Sequence, residues 1–266
     1  MLESKDIIVN NLKINYIVGG KGEILLVLPG WPGNLETSDK LLLELSKNFK
    51  VIGLNWPGFG KSEGFKSRAS LDNFINLLKD FLKELEIERV SILSFSFGAT
   101  LAIEFVKTNS VFVAKMIAVS PVVKFSVFPL YVRVLLYCAP ILLPFVNLCL
   151  SNKFLYDFLY HFVTRYDRNN IQSQEDKENN RRNLQNMNFN ECLNSLSILK
   201  KINLFSDKKN ITIKTLLLIG EKDSFVGTTS EQIIPMFSDI QVIKFPAEHY
   251  QILSSFPAKK IIHFFK

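Results

Sequence analysis

Three histidines and three cysteines are the whole supply of those side chains in 266 residues. Cys138, Cys149 and Cys192 form no CxxC pair and have no histidine at ligand spacing, so neither a metal site nor a dithiol centre is implied. All three lie in apolar or helical-looking stretches, where a free thiol behaves as a small hydrophobe. A reducing compartment is the expectation. The opening Met1-Leu2-Glu3-Ser4-Lys5-Asp6 lacks the basic-then-apolar order of a secretion signal, which points to a cytoplasmic protein. Runs of basic residues are missing too. The formal charge is +7, but lysines alternate with Glu and Asp, which argues against a nucleic-acid partner and leaves an anionic membrane surface or acidic substrate open. No internal repeat is visible, and no organic cofactor is implied.

What is present is one substantial core with a regular rhythm. Ile7 to Val9 and Leu12 to Val18 alternate around Asn10-Asn11 and suggest a hairpin. Ile24 to Leu28 and Val51 to Leu54 are short continuous apolar runs, the pattern of strands covered on both faces. Leu41 to Leu45 suggests a helix, and from Leu71 to Leu85 the apolar residues fall at helical spacing with charges opposite. Strands at Val90–Leu93, Met116–Val119, 211–219 and Ile240–Phe245 alternate with helices at Gly98–Val106 and Pro257–Phe265. The pattern predicts an α/β fold: a mostly parallel eight-stranded sheet flanked by helices. Residues 122–206 break the rhythm, showing no clear strand, an apolar first half and a polar stretch from Tyr166 to Asn190. They read as a helical cap inserted into a core made of 1–121 and 207–266.

Three elements carry chemistry. Ser94-Phe95-Ser96-Phe97-Gly98 joins a strand to a helix, with small residues two places either side of Ser96, as a strained turn that projects its central side chain requires. Leu216 to Gly220 is a hydrophobic strand, followed at its carboxyl end by Asp223. Glu248-His249 follows the strand Ile240–Phe245, whereas His161 and His263 lie in aromatic or apolar runs and read as packing residues. Singly, these could be a capping Ser, a turn Asp and a solvated His. Together they supply what acyl transfer needs: a hydroxyl nucleophile, an imidazole to take its proton, and a carboxylate to orient the imidazole.

At these residues the chain resembles the α/β-hydrolase fold family over nearly its whole length. The resemblance implies that Leu28-Pro29-Gly30-Trp31-Pro32-Gly33 is the oxyanion loop, with Pro29-Gly30 where His-Gly is usual. The amides of Trp31 and Phe97 would then hold the oxyanion, with Gly30 and Gly98 as the loop and elbow glycines. Asn55-Trp56-Pro57-Gly58-Phe59-Gly60-Lys61-Ser62 matches the loop after the fourth strand. Three departures stand out: Asn55 for Asp, Ser94 for Gly, and Glu248 for the Gly before the histidine. Epoxide and haloalkane chemistry in this fold generally uses an Asp nucleophile, so Ser96 argues against those branches.

Gly60-Lys61-Ser62 imitates a phosphate loop, but Asn55 stands where that motif needs Gly, and Pro57 lacks an amide proton. Val134 to Asn152 carries no charge, yet Pro140, Pro144 and Asn147 interrupt it, so two short cap helices are expected rather than a membrane span. Peripheral membrane contact through the cap fits the net charge. The expected function is that of a serine hydrolase, with Ser96, His249 and Asp223 as triad, cleaving a small ester with an apolar acyl chain. The rival is a non-catalytic ligand-binding or receptor module on the same fold.

Overall fold

A computed structural model describes residues 2–31, 35, 39–134, 136–139, 141, 152–155, 157, 189–207, 209–249, 252 and 256–266. Eight strands form one sheet: β1 (Leu2–Val9), β2 (Leu12–Gly19), β3 (Ile24–Leu28), β4 (Lys50–Leu54), β5 (Val90–Phe95), β6 (Val113–Val119), β7 (Lys214–Gly220) and β8 (Ile240–Phe245). Their spatial order is β1-β2-β4-β3-β5-β6-β7-β8. Only β2 runs antiparallel to its neighbours; from β4 across to β8 the sheet is parallel. The β1–β2 hairpin turns on Asn10 and Asn11, whose φ values of 52° and 62° suit the asparagine side chain. Strand β7 starts at Lys214, not Ile211; Ile211 instead bridges to Phe237 and leads into the sheet.

Alternation along the strands divides the core. Leu26, Leu28, Ile92, Met116, Ala118, Leu217 and Ile219 face one side, joined by α2 (Leu71–Glu84) and α3 (Phe97–Asn109). Leu25, Val27, Leu93, Ile117, Val119, Leu216 and Leu218 face the other, against α1 (Asp39–Leu45) and α5 (Ala258–Phe265). The long excursion between β6 and β7 contains helix α4 (Phe189–Leu199). The two expected helices broken at Pro140 and Pro144 fall largely outside the described residues, as do His161 and Cys149. Of the cysteines, Cys138 is a half-buried free thiol. No helix among the described residues is long and apolar enough to cross a membrane.

Both ends of that excursion are stitched to α3. Thr100 Oγ1 donates to the Val122 carbonyl at 2.9 Å, and Leu204 N–H donates to the Val123 carbonyl at 2.9 Å. Lys107, buried near the other end of α3, reaches the Leu204 carbonyl and Glu104 Oε1 at 2.9 Å each, and Asp207 Oδ1 at 2.7 Å. Burial raises the Glu104 carboxyl, while Lys107 works against that rise.

The departure at Asn55 has a partner. Its Oδ1 accepts from the Leu35 amide at 3.2 Å, and its Nδ2 donates to Asn15 Oδ1 at 2.9 Å, with both asparagines buried. Asn15 directs its own Nδ2 at Ser4, Lys5 and Asp6 of β1, so its carbonyl is the face left for residue 55. A carboxylate there would set oxygen against oxygen. Asn55→Asp is therefore expected to cost about 1–3 kcal/mol in urea unfolding; equal stability would mean that Asn15 turns over without penalty.

Candidate active site

The carboxyl edge of the parallel strands gathers the site. Ser96 sits between β5 and α3 with φ 50° and ψ −114°, a region that costs a non-glycine residue about 1–3 kcal/mol. Neighbours over-determine it. Ser96 N–H donates to the Val119 carbonyl of β6 at 2.8 Å, and its own carbonyl accepts from Thr100 N–H at 3.0 Å. Ser94 is tied by its hydroxyl to the Ile117 carbonyl at 3.0 Å. The need for a small residue at Gly98 has a definite cause: a Cβ there would lie 2.3 Å from the Pro29 carbonyl oxygen and 2.6 Å from that of Leu28. The elbow and the loop after β3 therefore touch backbone to backbone.

Asp223 and His249 follow adjacent strands, and their loops are laced together by Glu221 N–H to the Phe245 carbonyl and Lys222 N–H to the Ala247 carbonyl. Asp223 Oδ1 accepts amide protons from Phe225 and Val226, each at 2.9 Å, which fixes the carboxylate. Its Oδ2 lies 2.6 Å from His249 Nδ1. His249 Nε2 lies 3.1 Å from Ser96 Oγ. A carboxylate has no proton to give, so Nδ1 carries the proton and Nε2 is free to accept from the serine hydroxyl. All three side chains are buried. Burial pushes the Asp223 carboxyl up, but the hydrogen bond and charge of His249 and the two amides outweigh it and hold the group below the ordinary range.

Loop residues 29–31 lie beside this line. A Cβ at Gly30 would stand 3.1 Å from Ser96 Cβ. Both tryptophans of the chain hold the loop: Trp56 Nε1 donates to the Pro29 carbonyl at 3.0 Å, and Trp31 Nε1 donates to Ser195 Oγ on α4 at 2.8 Å. Trp56 packs edge-on to Phe74, which packs edge-on to Phe97, the first residue of α3. Pro32 and Gly33 lie outside the described residues. Sequence reasoning missed Ser195 and two rings flanking the imidazole, Phe95 at 5.0 Å and Phe225 at 5.7 Å between centroids. Phe95 and Phe225 could have been found as the neighbours of Ser96 and Asp223; nothing in sequence announces Ser195. Glu248 is half-buried, and His263, expected to pack, is exposed on α5 because its turn faces solvent while Phe264 and Phe265 turn inward.

A mostly parallel sheet with a strand–serine–helix elbow, and an acid and a histidine after its last two strands, is the architecture of the alpha/beta hydrolase fold. The family pattern described as alpha/beta hydrolase fold matches residues 23–255, and the chain belongs to that family. An uncharacterized protein of Mycobacterium tuberculosis (strain ATCC 25618 / H37Rv) is 30% identical over 105 residues, 40% of this chain and 31% of that protein. A soluble epoxide hydrolase of Corynebacterium sp. (strain C12) is 25% identical over 105 residues, 38% of this chain and 35% of its own length. These matches span about a third of the relatives. In structure the chain is similar to the epoxide hydrolase CorEH, with a TM-score of 0.80, 18% identity, and coverage of 100% of this chain and 99% of that one.

Two outcomes test this geometry. Gly98→Ala should lose about 1–3 kcal/mol in urea unfolding, because backbone carbonyls cannot rotate away; wild-type stability would mean that the loop can withdraw at no cost. For Asp223 the sign follows from its depressed carboxyl. Its contribution to stability is complete above about 3.9, the value of a free Asp, and is lost as pH falls through the lower folded value. Unfolding free energy should therefore fall more steeply with acid in the wild type than in Asp223→Asn below that value, and parallel profiles would show no such contribution.

Proposed function

We propose that the chain is a serine hydrolase that cleaves a carboxylic ester through an acyl-enzyme. The observation that carries this reading is the continuous line Ser96 Oγ, His249 Nε2, His249 Nδ1, Asp223 Oδ2, with separations of 3.1 Å and 2.6 Å. His249 Nε2 takes the hydroxyl proton as Ser96 Oγ attacks the carbonyl carbon, and Asp223 steadies the imidazolium. The amides of Trp31 and Phe97 receive the oxyanion, each donor contributing about 3 kcal/mol in the transition state. The alcohol leaves with the proton from His249. Water, deprotonated by the same nitrogen, then attacks the acyl carbon and restores Ser96.

The elbow side chain also favours acyl transfer over the chemistry in the name of one sequence relative, a soluble epoxide hydrolase. A serine oxygen opening an epoxide would form an ether, which water does not cleave, and turnover would stop. On an acyl carbon the same oxygen forms an ester, which the site can hydrolyse. The inward-facing Phe128, Val132 and Leu136 of the Phe- and Leu-rich stretch after β6 favour an apolar acyl chain, as in a monoacylglycerol or lysophospholipid.

The test is hydrolysis of p-nitrophenyl esters of increasing chain length beside Ser96→Ala, with fluorophosphonate labelling of both proteins. Turnover and labelling are expected in the wild type, with a rate at least about 10⁴-fold lower and no label in the variant. Equal hydrolysis by Ser96→Ala would sink the mechanism, and an unlabelled wild type would leave a binding module.

A further inference from the structure

Residues 130–134, 136–139 and 141 are helical, beginning where Arg133 N–H donates to the Pro129 carbonyl. Val132 is buried, and Leu136 and Ala139 pack against the main core. On the opposite face Leu130, Val134, Tyr137 and Ile141 follow at intervals of four, three and four residues, which is one stripe of a 3.6-residue helix. They are 68%, 51%, 61% and 76% exposed. A helix apolar on both faces is ordinarily covered on both. Here the outer face is open, and it is the largest run of exposed aliphatic and aromatic side chains among the described residues.

The charges nearest the stripe in sequence are basic, and the first acid beyond it is Asp157. From Val122 to Tyr156 the chain has Lys124, Arg133 and Lys153 and no Asp or Glu. Lys200 of α4 joins them, its Nζ 4.6 Å above the Tyr137 ring, and Phe125, next to Lys124, meets that ring edge-on at 5.5 Å. Among the described residues no carboxylate pairs with any of these four cations, and Arg133 Nε is buried without a hydrogen-bond partner. An apolar stripe with unneutralised cations beside it complements a bilayer of anionic lipid, in which acyl chains meet the stripe and headgroups meet Lys124, Arg133 and Lys200. A second copy of the chain would bring the same cations against themselves.

We propose that this helix docks the protein on an anionic bilayer surface and that the bilayer supplies its apolar ester. The second half of the proposal rests on the hydrolase reading; the docking does not. The test is sedimentation of the full chain with vesicles of phosphatidylcholine alone and of phosphatidylcholine mixed with phosphatidylglycerol. Binding should favour the mixed vesicles and weaken with salt. Leu130→Ser with Ile141→Ser should reduce binding at least about tenfold, and Lys124→Gln with Lys200→Gln should weaken its salt-sensitive part, leaving that of Arg133. Both variants should keep wild-type turnover of a short, water-soluble p-nitrophenyl ester. A wild type that ignores mixed vesicles would overturn the docking, as would variants that bind as well as wild type. So would a wild-type dimer by light scattering that becomes monomeric in the serine variant without any vesicle binding. If no protein turns over ester yet vesicle binding behaves as stated, the docking stands and the hydrolase reading fails.

Discussion

The approach of Gly98 to the carbonyls of Leu28 and Pro29 is the constraint around which the site is arranged. Main chain meets main chain there with no room for a methyl group, so the start of α3 and the loop after β3 are fixed to each other without intervening side chains. Ser96 keeps its uncommon backbone angles because that contact, the Val119 carbonyl and the Thr100 amide leave it no relaxed alternative. Trp56 adds a third hold on the loop by donating to the Pro29 carbonyl. Most of this rigidity is steric, with little dependence on pH or salt.

Asp223 and His249 are held by different physics. Burial works against an ionised Asp223, and the carboxylate persists because amides from Phe225 and Val226 take one oxygen and His249 takes the other. Phe95 and Phe225 lie against the imidazole, tilted to it by 43° and 49°, and help to bury it.

Much of this was legible because short buried strands and functional turns have local signatures. The runs Ile24–Leu28 and Val90–Leu93 announce themselves by composition, and the serine, aspartate and histidine each follow such a run. What stayed hidden depends on partners distant in sequence. Nothing near Asn55 reveals that Asn15 supplies its acceptor, and nothing near Trp31 reveals Ser195, 164 positions later. His263 departs from expectation for a related reason: an apolar neighbourhood in sequence does not say which side of a short helix faces water. Strand β7 is shorter than its apolar run because Ile211 and Ile213, though apolar, serve the approach to the sheet.

The meeting of Val123 and Leu204 means that the excursion after β6 departs and returns at one place beside α3, before the chain goes on to the start of β7. Lys107 secures the return and Thr100 the departure, both from the helix that carries Ser96 at its head. A closed excursion is cheap to remodel, because doubling its length adds only about 0.6 kcal/mol of closure entropy. Descendants of this chain could exchange everything between those two stitches, lengthening or shortening it, while the elbow beneath kept its shape. Variation in sequence would then accumulate in the excursion, and the backbone geometry around Ser96 would be inherited unchanged.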